Sequence, residues 1–137
     1  MNRRIAIVSA AVLILTIAGW VGVNPGGQFG ISRFGVTTYS RVPIPYVDVQ
    51  VRADGAFRPI LKSHQIDASR LGWLLDNRAP EVLVVAVGWR NAAHLVDGFR
   101  PPDGTRLMVL STADAIDVYN SLKAQGVRVA IHVHSTC

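Results

Sequence analysis

The sequence has 137 residues but only one cysteine, Cys137, which excludes an internal disulfide. Its 14 basic residues give a net charge of +5, yet they are scattered, and no stripe of Lys and Arg alternates with aromatic residues. Nucleic-acid-binding domains carry such stripes, so the composition argues against a nucleic-acid partner. The sequence also lacks a phosphate-binding loop, a dinucleotide motif, a Ser-His-Asp order and a paired-carboxylate signature. It therefore predicts no catalytic residue and no cofactor.

The longest apolar segment is an uncharged run from Ile5 to Val23. As a helix it would be roughly 28 Å long, which is about the hydrocarbon thickness of a bilayer. Arg3 and Arg4 precede this run, and the next basic residue is Arg33. The positive-inside rule then keeps the N-terminus in the cytoplasm. We expect a single-pass anchor in the cell (inner) membrane, with the following domain outside the cytoplasm.

Other interpretations of this run remain open. A cleaved signal peptide would give a secreted or periplasmic protein, and Thr16 to Ala18 offers a tolerable small-residue exit. A buried core helix is less in keeping with a run that has no polar stripe. Reversed insertion would leave the domain in the cytoplasm. Ala6 and Ala10 form a small-xxx-small pair through which two anchors could pack as a homodimer.

The segment that follows the anchor (residues 1–23) is rich in glycine. Four of the residues in 24–35 are glycine, which predicts a flexible connector with little tendency to fold. We expect it to act as a tether between the anchor and a folded domain at residues 36–137.

Residues 36–137 alternate between strand and helix patterns. The strand candidates are Val36–Val42, Val47–Val51, Phe57–Leu61, Val82–Val87, Arg106–Leu110 and Val127–Val133. Valine alternates with polar residues in Val47–Val51, which predicts a half-buried strand. Val82–Val87 is apolar throughout, as expected of a strand buried on both faces. Asp54 and Gly55 predict a hairpin turn.

Two helices are predicted between these strands. Asp67 can cap a helix that runs to Asp76. Ser111 and Asp114 fit a capping box that opens a second helix, and Gly126 ends it. Because strand, helix and strand recur in the second half of the chain, part of the sheet should be parallel. The pattern predicts a mixed α/β domain.

An ordered set of short motifs resembles the Mth nine-three-eight-like domain. The motifs are P-E-V-L-V-V, A-x-D-V-Y-N-S-L, G-x-R-V-A and the terminal H-S-T-C. This small domain of unknown function is shared by archaeal and bacterial proteins, the adipogenesis-associated protein of animals and a mitochondrial complex I assembly factor. S-H-Q-I-D is similar to the family's G-H-x-L stretch and puts His64 at a matching position.

The resemblance covers roughly Val47 to Cys137 and implies a three-layer α/β fold with a central mixed sheet of about five strands. The sequence departs from the family after the buried strand, where Ala86, Val87 and Gly88 replace the usual Gly-Thr-Gly. In the next segment, residues 91–104, proline and glycine are frequent, so we expect the family's helix to be shortened there.

Six residues are candidates for contacts in a cleft: His64, Gly88, Tyr119, Asn120, His134 and Cys137. Asparagine is unfavourable inside a helix, so the side chain of Asn120 is expected to bond a neighbouring loop, such as the one that starts at Gly88.

His132, His134 and Cys137 form an H-x-H-x-x-C pattern whose nitrogen and sulfur ligands suit zinc or copper. A fourth ligand would have to come from His64 or His94. Three local ligands are a weak signal, so we predict no metal. Cys137 could alternatively pair with His64 or His134 as a thiolate, or link two chains, but an inert thiol is the simplest expectation.

These observations predict a non-enzymatic, membrane-tethered module that binds a protein partner. Resemblance to the assembly factor implies a role in assembling a membrane complex. The alternative is a small enzyme or ligand-binding protein whose cleft lies at the carboxyl ends of the strands. A partner module should expose an apolar patch, whereas a ligand site should have a concave pocket with converging polar groups.

Overall fold

A five-stranded mixed sheet lies at the centre of the structure, a computed structural model that describes residues 2–76 and 78–137. The helices are α1 (Arg3–Val23), α2 (Ala68–Leu75) and α3 (Thr112–Ala124). The strands are β1 (Val36–Tyr39), β2 (Val42–Pro45), β3 (Asp48–Val51), β4 (Phe57–Ile60), β5 (Gln65–Ile66), β6 (Val82–Ala86), β7 (His94–Leu95), β8 (Arg106–Leu110) and β9 (Val129–Val133).

The central sheet has the strand order β4-β3-β9-β6-β8. Strands β9, β6 and β8 are parallel, while β3 is antiparallel to both β4 and β9. Helix α3 and the β1–β2 hairpin cover one face, and α2 covers the other together with the short β5–β7 pair. The predicted three-layer α/β fold with a mixed sheet of about five strands is therefore confirmed. Residues 91–104 hold turns and β7, in line with the expected shortening of the family's helix.

Local sequence signals account for the elements that were predicted well. The side chain of Ser111 accepts a hydrogen bond from the backbone N–H of Asp114, as a capping box requires. Asp67 likewise caps α2 by accepting from the backbone N–H of Arg70. Gly55 occupies the turn between β3 and β4 with a φ of +87°, which suits glycine.

Two strand predictions were wrong. Val36–Val42 is not one strand but a hairpin, because Ser40 and Arg41 both adopt positive φ and turn the chain back onto β1. Strand β3 is buried along its whole length instead of half-buried. Its polar residues, Asp48 and Gln50, face a polar layer between the sheet and α2 and do not reach solvent.

The expectation of a flexible connector at residues 24–35 is also wrong, because the segment packs on the domain. Phe29 is buried against Tyr39 and Tyr119, with ring centroids 5.0 and 5.1 Å away. The side chain of Asn120 accepts from the Phe29 N–H and donates to the Phe29 carbonyl, both at 2.9 Å. This pair of bonds imitates a strand pairing and attaches the segment to α3.

Helix α1 is long and apolar enough to cross a membrane, and none of its residues is buried by the rest of the described chain. The interpretation as a core helix is thereby excluded. The helix remains compatible with a membrane anchor or a signal sequence.

Candidate functional site: the His64, His134 and Cys137 cluster

The candidate site lies where the chain leaves β9 and turns against the loop after β6. The backbone N–H of His134 donates to the Ala86 carbonyl at 3.1 Å, and the N–H of Arg90 donates to the Cys137 carbonyl at 2.8 Å. Gly88 makes this approach possible, because its φ is +105° and a Cβ there would lie 2.5 Å from the Cys137 carbonyl oxygen. The loop and the last residues are thus packed backbone to backbone.

Three of the six predicted residues meet at this point. The Nε2 atom of His64 lies 3.3 Å from the Sγ atom of Cys137, and the rings of His64 and His134 are 5.2 Å apart. The ligand atoms of the three side chains all lie within 4.8 Å of one another. His64 is exposed, Cys137 is partly buried and His134 is fully buried. We refer to these three residues as the His-Cys cluster.

The buried carboxylate of Asp48 lies against the His-Cys cluster. The Oδ1 atom of Asp48 is 3.0 Å from the Nδ1 atom of His134, although the contact is not aligned as a hydrogen bond. The Oδ2 atom accepts from the backbone N–H of Ser63, which precedes His64, and lies 3.7 Å from the Arg70 guanidinium. Asp48 therefore contacts the His134 ring directly and holds the backbone that precedes His64.

His132 belongs to a different part of this polar layer. The side-chain oxygen Oε1 of Gln50 accepts hydrogen bonds from the Arg58 guanidinium. This fixes the orientation of the side-chain amide and leaves its nitrogen, Nε2, to act as a donor. That nitrogen donates to the Arg70 carbonyl at 2.7 Å and lies 3.2 Å from Nδ1 of His132. Nδ1 of His132 is then an acceptor, and the proton of the neutral ring is on Nε2, 3.8 Å from Asp48. Burial lowers the pKa of His132 to about 4.

Tyr119 and Asn120 lie on the opposite face of the sheet from the His-Cys cluster. The Tyr119 and Tyr39 hydroxyls are 3.3 Å apart, and burial raises the pKa of Tyr119 far above its usual value. Asn120 bonds the backbone of Phe29 and not the loop at Gly88, which corrects that expectation. These two residues hold the α3 layer together and do not share a cleft with the other four.

Sequence reasoning missed Asp48, Gln50 and Arg70. Asp48 and Gln50 alternate with valine along β3, a pattern that indicates a solvent-facing side. Only the pairing of β3 with β9, which places Gln50 opposite His132, turns that side inward. One sequence pattern could have indicated their position. Polar residues on β3 and histidines on β9 both recur with period two, so pairing of these two strands would bring them to the same face of the sheet.

A separate groove lies against α3. It has a volume of about 280 Å³ and runs between residues 30–33, Trp89 and the first two turns of α3. None of the six predicted residues lines it. Trp89 donates its indole N–H to the Ser135 carbonyl at 3.1 Å and so stabilises the position of the last residues.

Solved structures of the same fold identify the family. The protein MT938 is 34% identical to this chain, with a TM-score of 0.67, and the match covers 80% of this chain and 98% of MT938. This chain belongs to the Mth938-like family. The sequence matches no family profile and no curated protein.

Two further structures share the Mth938-like fold. The Mth938-like domain of Bordetella pertussis is 18% identical, with a TM-score of 0.59 and coverage of 79% of this chain and 85% of its own. An outer membrane protein of Bartonella henselae is 16% identical, with a TM-score of 0.58 and coverage of 83% and 99%. At these identities the likeness is one of fold. Because a fold does not specify an activity, function has to be argued from the residues of this chain.

Proposed function

We propose that the protein is a non-enzymatic Mth938-like module, anchored in the cell (inner) membrane by α1, that binds a protein partner and assists the assembly of a membrane complex. The proposed topology is single-pass, with the domain outside the cytoplasm. The observation that carries this proposal is the rigid junction between an apolar helix and the folded domain.

Hydrogen bonds connect α1 directly to the folded domain. Asn24 is fully buried and caps α1, because its backbone N–H and its side-chain amide both donate to the Trp20 carbonyl. The side-chain oxygen of Asn24 accepts from the Ile31 N–H at 2.9 Å, which attaches the cap to the packed segment. The indole of Trp20 donates to the Arg41 carbonyl at 3.3 Å. A domain joined in this way is held at the membrane surface and presents one fixed side to membrane neighbours.

An exposed aromatic pair at the open end of the β1–β2 hairpin is the best candidate for a partner surface. Phe34 and Tyr46 are 60% and 68% exposed. The backbone between them is ordered: the Gly35 N–H donates to the Ser135 carbonyl, and the Tyr46 N–H donates to the Gly35 carbonyl. Exposed aromatic side chains on a fixed backbone lose little entropy on binding, which favours protein recognition.

We favour a partner over a small-molecule cleft because the predicted cleft residues are divided between two faces of the sheet. Tyr119 and Asn120 are already engaged in structural hydrogen bonds. In the His-Cys cluster, by contrast, both ring nitrogens of His134 are without a hydrogen-bond partner within the described residues.

The anchor is tested by membrane retention of the full-length protein. We expect the protein to remain in the membrane pellet after an alkaline wash and to keep its full-length mass. Leu13→Arg places a charge at the middle of α1 and should release a large share of the protein, whereas Leu13→Ala should not. A protein of lower mass in the supernatant would indicate a cleaved signal sequence and would contradict the membrane anchor.

The side of the membrane is read with a membrane-impermeant maleimide, since Cys137 is the only thiol. We expect labelling in intact cells without permeabilisation, after treatment with a chelator that removes any metal bound to the thiol. Labelling only after permeabilisation, in reduced and unreduced samples alike, would contradict the outward topology.

Partner binding is tested by photo-crosslinking in cells. A photoreactive phenylalanine analogue at position 34 or 46 should give a discrete crosslinked species in the membrane fraction. The same analogue at Asp103, an exposed loop position, is the matched control and should give none. Equal crosslinking at all three positions, or none at any, would contradict a partner surface at the aromatic pair.

A further inference from the structure

The His-Cys cluster combines donors that come from distant parts of the chain. His64 precedes β5, while His134 and Cys137 follow β9, yet their ligand atoms lie within 4.8 Å of one another. Two imidazole nitrogens and one thiolate are a donor set that suits zinc. We propose that His64, His134 and Cys137 bind one Zn²⁺ ion.

The buried histidine is the strongest reason for this assignment. His134 is fully buried, and neither of its ring nitrogens has a hydrogen-bond partner within residues 2–76 and 78–137. Buried polar side chains normally have partners, so an unsatisfied imidazole that faces a thiol and a second imidazole calls for a ligand. A metal ion would satisfy it.

Asp48 lies behind the His134 ring, where metal-bound histidines usually have a carboxylate. Its carboxylate lies 3.0 Å from Nδ1 of His134, which leaves Nε2 as the nitrogen available to the metal. A carboxylate behind a ligating histidine orients the ring and increases its basicity. The same carboxylate holds the backbone of Ser63 and hence the loop that carries His64.

The spacing needs little adjustment. With Zn–N near 2.0 Å and Zn–S near 2.3 Å, the ligand atoms of a tetrahedral site lie roughly 3.3–3.6 Å apart. The Nε2 atom of His64 is already 3.3 Å from Sγ of Cys137. His64 is exposed and its ring is on the surface, so it can move onto the ion without repacking the core.

The ligand set differs from the sequence pattern. His132 is not a ligand, because its Nδ1 lies against the Gln50 amide and its Nε2 faces Asp48. His64 takes its place. Three protein ligands and an exposed side leave a fourth position for water or another small ligand, as in zinc sites that are not purely structural.

The test is a Zn²⁺ titration of the full-length protein in detergent. Binding is measured by calorimetry and by competition with a chromophoric chelator. We expect one Zn²⁺ per chain, and no comparable binding of Mg²⁺. His64→Ala and Cys137→Ser should each weaken binding by more than about 100-fold, and Asp48→Asn by about 10–100-fold. His94→Ala is the matched control, since His94 is also exposed and its backbone N–H donates to the His64 carbonyl. This variant should bind Zn²⁺ as the unchanged protein does.

Cobalt supplies a second readout that does not depend on affinity. Co²⁺ bound at this site should show a thiolate-to-metal charge-transfer band, and the band should be absent in Cys137→Ser.

The His64 and Cys137 variants replace side chains that are not fully buried, and their unfolding curves will show that they are folded. Absence of stoichiometric Zn²⁺ binding, or equal binding by His64→Ala and the unchanged protein, would overturn the site. Either result leaves the crosslinks of the aromatic pair unaffected, so this inference and the proposed function fail independently.

Discussion

Replacing Gly88 with alanine is expected to lower the free energy of unfolding by about 3–5 kcal/mol. Two costs add at this position. The backbone has a φ of +105°, which alanine adopts only with strain. The new methyl group would also lie 2.5 Å from the Cys137 carbonyl oxygen and 2.8 Å from that of Thr136, both of them backbone atoms that cannot rotate away. The last residues would have to move off the loop.

Gly126→Ala is the matched control for this change. Gly126 also has a positive φ, +77°, but a Cβ there would meet no atom within 4 Å. It should therefore show the strain alone, about 1–2 kcal/mol. Denaturant unfolding of the full-length protein, followed by circular dichroism, measures both variants. Equal losses would show that the close approach at Gly88 contributes nothing.

Acidification from pH 6.5 to 4 should remove about 3 kcal/mol of stability through His132 alone. Burial lowers the pKa of this ring to about 4 in the folded protein. In the unfolded chain the ring has its ordinary pKa near 6.5, so between these values only the unfolded state binds the proton. The contribution is fully present above about pH 6.5 and is lost as the pH falls toward the folded value.

The variant His132→Gln isolates this contribution, because it cannot titrate and retains an amide next to Gln50. Asp48, Arg70 and His134 pack around the ring and are unchanged in the variant. Unfolding curves at a series of pH values should show a shallower pH dependence for His132→Gln than for the unchanged protein. Identical slopes would mean that other groups dominate and that the prediction for His132 is wrong.

Much of the fold was predictable because it depends on short-range signals. The capping box at Ser111 and Asp114 and the glycine at position 55 act within a few residues, and each produced the expected element. The apolar run Val82–Val87 also became a fully buried interior strand of the sheet, β6. These features are encoded by neighbours along the chain.

The errors share a different origin. The glycine-rich segment looked flexible because its composition favours disorder, but Phe29 and the two bonds from Asn120 attach it to α3 across 91 residues of sequence. Strand β3 looked half-exposed because its polar residues alternate. A partner far away in the sequence decided both cases, and no local pattern contains that information.

The sequence by itself determined the apolar helix, the chain order of α2, α3 and the five central strands, and the family resemblance, because each rests on composition or on spacing within a segment. It also named His64, His134 and Cys137 as candidates. Only the tertiary structure decided which of them meet. The antiparallel pairing of β3 with β9 buries Asp48 against His134, and Gly88 lets the last residues approach the loop closely enough for Cys137 to reach His64. Hydrogen-bonded register and backbone proximity, which act between distant residues, produced the cluster.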